Sequence, residues 1–264
     1  MKHAQFDYVN QFHCLAGDCP DTCCKDWQII LDEDALARYR AMPGSLGEQV
    51  RAALVTENGE TRFREEGGRC VLLRDDGLCP IQAAYGAEAL CRTCCTHPRF
   101  TEEYGQTAEL TLSLSCPEAA RLLLSQTEKV TLRGTVSKAP PRETVELLLF
   151  RQKLLDAAQD RRLTLGGRMR KILTLAGASL PRRTARAWAA FFASLEPLEP
   201  GWTEALAKLA GPVDFAGFHA VSAAWETEYE QLLVYFLLRH LLADVGRALP
   251  ARAAFAVLST AMLY

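Results

Sequence analysis

Ten cysteines constrain this chain more than any other feature, because all of them fall within the first 116 of its 264 residues. Cys14, Cys19, Cys23 and Cys24 crowd into one short stretch; Cys70, Cys79, Cys91, Cys94, Cys95 and Cys116 follow, and the rest of the chain has none. Whatever the sulfur does therefore belongs to the first part of the protein. A chain of this length buries a core without covalent staples, so the thiols are not needed for size alone. No apolar stretch at the N-terminus reads as a signal peptide. The longest aliphatic and aromatic run, Leu232 to Leu238, falls far short of the roughly 20 residues of a membrane span. The expectation is a cytoplasmic protein without membrane contact, in which clustered cysteines are metal ligands or redox groups sooner than disulfides. The adjacent pairs Cys23-Cys24 and Cys94-Cys95, whose side chains diverge, point the same way. A net charge of −2 and a pI near 6.2 imply no nucleic-acid partner.

Local signals divide the chain. Asp32 is placed to cap a helix from Glu33 to about Ala41, which Pro43-Gly44 stops, and a second amphipathic helix is expected from Leu46 to about Val55. Asn58-Gly59, Gly67-Gly68 and Asp76-Gly77 mark turns around short extended pieces. Cys79 and Cys116 each precede a proline that opens a helix, the first running to about Leu90. There the free N–H groups of a first helical turn favour a thiolate. Ala108 to Leu114 alternates as a strand, with Leu110, Leu112 and Leu114 on one face and Glu109, Thr111 and Ser113 on the other. Beyond Pro141 nearly everything is helical: about 142–160, 165–178, 182–195 and 202–210, then a long helix from about Phe215 or Trp225 to Val245. Ala251 to Tyr264 either packs as a last helix or precedes further chain. The fold class is α+β: a small irregular cysteine-rich metal domain over residues 1–126, a linker over 127–141, and an all-α helical domain over 142–264.

Four thiolates satisfy a structural zinc or an iron–sulfur cluster, and the spacing does not select between them. A radical S-adenosylmethionine signature is absent, since Asp26 stands where the third cysteine would follow Cys19 and Cys23. His13 and His97 lie beside cysteines and read either as ligands or as neighbours of the ligands. Arg92, Arg99 and Arg121 are candidates to balance an anionic cluster. From Arg161 to Arg186 eight basic residues occur without an acid. That stretch reads either as a docking surface for an acidic partner or as the solvated faces of two helices, and the missing aromatic interleaving favours the second.

Several segments together resemble the flagellin lysine N-methylase family: Cys14-x4-Cys19-x3-Cys23-Cys24-x2-Trp27, Cys70-x-Leu-Leu-x-Asp-Asp-Gly-Leu-Cys79-x-Ile, Thr93-Cys94-x2-His97-Pro98-Arg99 and Leu112-Ser-Leu-Ser-Cys116-Pro-Glu-Ala-Ala-Arg121. The match runs through about residues 7–124, a region also similar to small zinc- or iron-chelating domains. The resemblance implies methyl transfer from S-adenosylmethionine to lysine side chains of flagellin, with an iron–sulfur cluster, a [4Fe-4S] centre, in the cysteine-rich part; zinc is the alternative. The shared cysteines, and so the implied metal ligands, are Cys14, Cys19, Cys23, Cys24, Cys70, Cys79, Cys94 and Cys116. Cys91 and Cys95 are extras, and His97 stands where the family usually has tyrosine. The resemblance assigns no catalytic or methyl-donor residue. The competing reading is a noncatalytic zinc- or iron-binding interaction module.

Overall fold

The structure, a computed structural model, describes residues 3–104, 107–133, 141–181, 183–197, 200–210, 223–242 and 248–263. It mixes helices with small sheets and divides into two compact units, one of Met1–Ser125 with Val130–Pro140, the other of Gln126–Lys129 with Pro141–Tyr264.

In the first unit, β1 (His3–Phe6) pairs in parallel with β7 (Thr107–Leu112) and antiparallel with β8 (Leu132–Arg133), while β6 (Arg99–Tyr104) pairs antiparallel with β7. The order is β6-β7-β1-β8. Alternation along β7 suggests one apolar and one polar face. As an inner strand, however, β7 buries both, with Glu109 and Thr111 as enclosed as Ala108 and Leu112. Within the stretch expected as a linker, Val130 is buried and β8 joins the sheet, while residues 134–140 lie outside the described positions.

A second core of this unit gathers around α1 (Glu33–Ala41), α2 (Gly44–Ala52), the hairpin β2 (Leu54–Glu57) and β3 (Glu60–Phe63), and the small hairpin β4 (Glu65–Glu66) and β5 (Arg69–Cys70). Asn58 and Gly59 both adopt positive φ between β2 and β3, as a two-residue hairpin turn demands. Ile29, Leu31, Tyr39, Val50, Phe63, Leu72 and Ile81 are buried together, with the Tyr39 and Phe63 rings 5.6 Å apart. At Gly47 in α2 the backbone leaves no room, because a Cβ there runs into the carbonyl of Met42. Gly47→Ala is accordingly expected to lower stability by about 1–3 kcal/mol through overpacking, read as a fall in melting temperature; an unchanged melt would show that α1 and α2 shift freely.

Three short helices carry cysteines at their N-caps: α3 (Pro80–Tyr85) after Cys79, α4 (Arg92–Thr96) after Cys91, and α5 (Pro117–Leu124) after Cys116. α3 stops short of Leu90 because Gly86 turns to φ 80°, and a 3-10 turn at Ala87–Ala89 follows.

Among its described residues the second unit is helical: α6 (Arg142–Ala158), α7 (Leu165–Ala176), α8 (Ala185–Ala193), α9 (Pro200–Leu209), α10 (Glu226–His240) and α11 (Leu249–Leu263). Thr164 caps α7 by accepting from the Gly167 N–H at 3.2 Å, and Gly177 ends it in the left-handed region. Leu154, Ile172, Leu233, Leu237, Leu241 and Ala256 form the centre of its core. Residues 251–263 belong to α11, which packs on α7 and α10. The possible start of the long helix at Phe215 and its end at Val245 fall outside the described residues. Trp225, expected on the apolar face of α10, is instead 53% exposed at its N-cap.

Candidate metal centre

The first unit folds so that loops and helix starts, rather than strands, present the sulfur. A 3-10 turn at Ala16–Asp18 separates Cys14 from Cys19, and the Cys14 sulfur accepts the Ala16 N–H at 3.4 Å. Thr22 Oγ1 accepts from the Cys24 N–H at 3.1 Å, and Trp27 Nε1 donates to the Cys23 carbonyl at 2.6 Å, which shapes the Cys23-Cys24 corner. The next residues run beside β5: the Cys70 N–H donates to the Cys24 carbonyl at 2.8 Å and Asp26 N–H to the Gly68 carbonyl at 2.7 Å. Beyond β7, the Ser113 N–H donates to the Pro98 carbonyl and the Cys116 N–H to the Ser113 carbonyl, which delivers Cys116 to the start of α5.

These segments enclose one cavity of about 410 Å³ lined by Cys14, Cys19, Cys23, Cys24, Cys79, Cys94, Cys95 and Cys116. Seven of the eight cysteines picked out by the family pattern are on its wall. The eighth, Cys70, lies buried in the adjoining core, as does Cys91. Cys95, outside the pattern, is on the wall as well. His13, His97, Arg99 and Glu118 are also on its wall, with Asp21, Thr22, Gln82 and Ser115, whereas Arg92 and Arg121 are not part of it. Arg121 instead grips Glu118 through two contacts of 2.7 Å, and Arg99 sits 5.0 Å from the centre of the Phe12 ring.

Electrostatically the thiols act on one another. Cys23 donates to Cys24, which lowers the Cys24 pKa and raises that of Cys23. Cys94 donates to Cys91 in the same way, bringing Cys91 to about 7 while Cys94 rises, helped by burial. Charge on Cys79 is felt by Cys24, Cys70 and Cys94, whereas Cys116, raised chiefly by burial, feels Cys19 and Cys14. The thiols thus fall into a group around Cys79 and a group around Cys116. A metal bound by these thiolates would displace the protons that the paired thiols share.

Among the described residues, no three Cys, His, Asp or Glu side chains already stand close enough together to hold a single ion. The sulfurs ring a cavity instead of converging on a point. A thiolate-bound cluster and a tetrahedral zinc, which draws four sulfurs to about 2.3 Å, both require these side chains to close further.

The His97 ring lies 5.7 Å from that of Trp27 at a tilt of 45°; burial holds it below the usual histidine range, and its Nε2 is enclosed with no hydrogen-bond partner. Asp32, foreseen only as a helix cap, does two jobs: Oδ1 accepts from the Ala35 N–H of α1 at 3.0 Å and Oδ2 from the Arg92 N–H of α4 at 2.7 Å. It thereby ties α1 to the helix that carries Cys94 and Cys95, a link that no local sequence signal announces. Asp32→Ala is expected to cost about 1–2 kcal/mol. The backbone donors of Arg92 and Ala35 hold the Asp32 carboxyl below its usual range. Its contribution is therefore present above the unfolded value of about 4 and fades as pH falls through the lower folded value. Melting curves of the two proteins should converge in acid, and a gap that persists there would mean that the charge is immaterial.

No protein-family model matches the chain, and no solved structure matches it. It is similar to the lysine-N-methylases of Salmonella typhimurium and Salmonella choleraesuis, at 31% identity over 168 residues, 58% of this chain and 42% of each relative. It is also similar to the flagellar biosynthetic protein FliU of Salmonella muenchen, at 32% identity over 132 residues, 47% of this chain and 78% of the relative. The chain thus spans less than half the length of the two lysine-N-methylases that it matches.

Proposed function

We propose, from the premise that the chain belongs to the flagellin lysine N-methylase family, that its whole protein transfers methyl groups from S-adenosylmethionine to lysine side chains of flagellin. In this reading, thiolates of the cysteine cavity hold a [4Fe-4S] cluster. The observation that carries it is the gathering of Cys14, Cys19, Cys23, Cys24, Cys79, Cys94 and Cys116 around one cavity, from segments far apart in the chain. Bound there, such a cluster supplies iron as a Lewis acid and a focus of charge.

The chain's own residues supply the rest. Lysine is methylated as the neutral amine, so a proton must leave it. His97 stands on the cavity wall with a neutral ring that burial favours and an Nε2 without another partner, which makes it a hydrogen-bonding group and a weak base. Arg99 is the cation placed to offset thiolate charge. Glu118, held by Arg121 below the usual carboxylate range, remains ionised and fixed.

The test is transfer of labelled methyl groups from S-adenosylmethionine to flagellin by the full-length, cluster-loaded protein. Labelled lysine is the expected product. No transfer from a sample with full cluster content would overturn the enzyme and leave a metal-binding interaction module.

A further inference from the structure

The second unit contains a cavity that the methylase reading does not use. About 460 Å³ in volume, it is lined by Lys129, Lys153, Asp156, Ala157, Asp160, Arg161, Arg162 and Lys171. Five cations thus face two carboxylates. We propose that this cavity binds a compact, multiply charged oxyanion of the phosphate class.

Two buried carboxylates hold three of the cations in place, Asp160 from within the lining and Glu230 from outside it. Asp160, 9% exposed, accepts Arg162 through both oxygens at 2.7 and 2.9 Å and Lys171 at 3.2 Å. Arg161 is fixed by Glu230, 1% exposed, at 3.0–3.2 Å and by the Thr127 carbonyl at 2.7 Å. Each arginine spends Nε and Nη2 on these partners, which leaves Nη1 for a ligand. Lys129 and Lys153 form no ion pair among the described residues, and Asp156, which accepts from Gln152 at 2.8 Å, is the carboxylate that shares their side of the lining. The run of basic residues from Arg161, which reads as a solvated helix face, is thus partly an ordered wall. Its acids come from outside the run, at Asp160, Glu226 and Glu230.

The chemical class follows from what the wall offers. Cationic forks and ammonium groups match phosphate oxygens. The lining holds no aromatic ring to stack on a base and only Ala157 as an apolar contact, so a nucleoside gains nothing there.

The experiment is calorimetric titration of the full chain with pyrophosphate, against sodium chloride at matched ionic strength. Lys129→Ala/Lys153→Ala removes charge without touching a buried pair, and Arg170→Ala, on α7 but outside the cavity, is the control. The proposal expects saturable binding by the native chain and Arg170→Ala, weakened about tenfold or more in the double variant. It is overturned by the absence of saturable binding at millimolar pyrophosphate, or by equal binding in a double variant that melts like the native chain. Saturable binding of a poly-glutamate peptide, lost in the double variant while pyrophosphate does not bind, would assign the cavity to acidic polypeptide and overturn the phosphate class. None of these outcomes touches the cysteines, so they are read independently of cluster content.

Discussion

Cys79→Ser is expected to empty the cysteine cavity of metal and to destabilise the first unit by on the order of 3 kcal/mol or more, since the free energy of metal binding is also folding free energy. Cys79 is the strongest choice because its charge reaches Cys24, Cys70 and Cys94, and because it caps α3 beside the buried Ile81. Losing it removes a ligand and leaves the remaining thiolates to repel one another. Cys23→Ser is expected to act in the same direction, through the Cys23–Cys24 pair. Cys95→Ser provides the contrast: Cys95 faces the cavity but lies outside the family pattern, so most of the metal should stay. Metal analysis combined with thermal unfolding reads both effects. Full occupancy and unchanged melting in Cys79→Ser and Cys23→Ser would remove these residues from the ligand set.

Glu230→Gln should be the most damaging single change in the second unit, at about 3–5 kcal/mol, because breaking a buried ion pair strands the remaining charge. The partner left behind is Arg168, only 4% exposed in its side chain, which donates to Glu230 at 2.7 Å and to the more exposed Glu226 at 3.2 Å. Arg161 loses its anchor at the same time. Replacing the pair together, as Glu230→Leu with Arg168→Met, is expected to recover much of the loss, because a buried pair is worth little more than well-packed apolar groups. Glu226→Ala, at a site 42% exposed, should cost under about 1 kcal/mol. Thermal unfolding of the four proteins checks the ordering. Equal melting of Glu230→Gln and Glu226→Ala would show that water reaches Arg168.

Much of this architecture is legible in the sequence wherever one local signal suffices. Asp32 before Glu33, and Pro80 and Pro117 after cysteines, each place a helix start within a residue or two of where it stands. Strand β1 gives no such signal: it is four residues long and owes its existence to pairing with β7 and β8, from the other end of the unit. The burial of Glu109 and Thr111 is hidden for the same reason, because alternation records polarity but not the number of neighbouring strands. The family resemblance marks seven of the cysteines that line the cavity without revealing that Cys70 and Cys91 face the core instead. In the second unit, a run of arginines looks solvated until helix α10 supplies Glu230 from nearly seventy residues further along the chain.

The central claim is that the cysteine cavity holds a thiolate-bound iron–sulfur cluster. Iron, sulfide and zinc content of anaerobically purified protein, taken together with its visible spectrum, tests that claim most directly. The account predicts about four irons and four sulfides per chain with broad absorbance near 400 nm. Stoichiometric zinc in a colourless protein would contradict it.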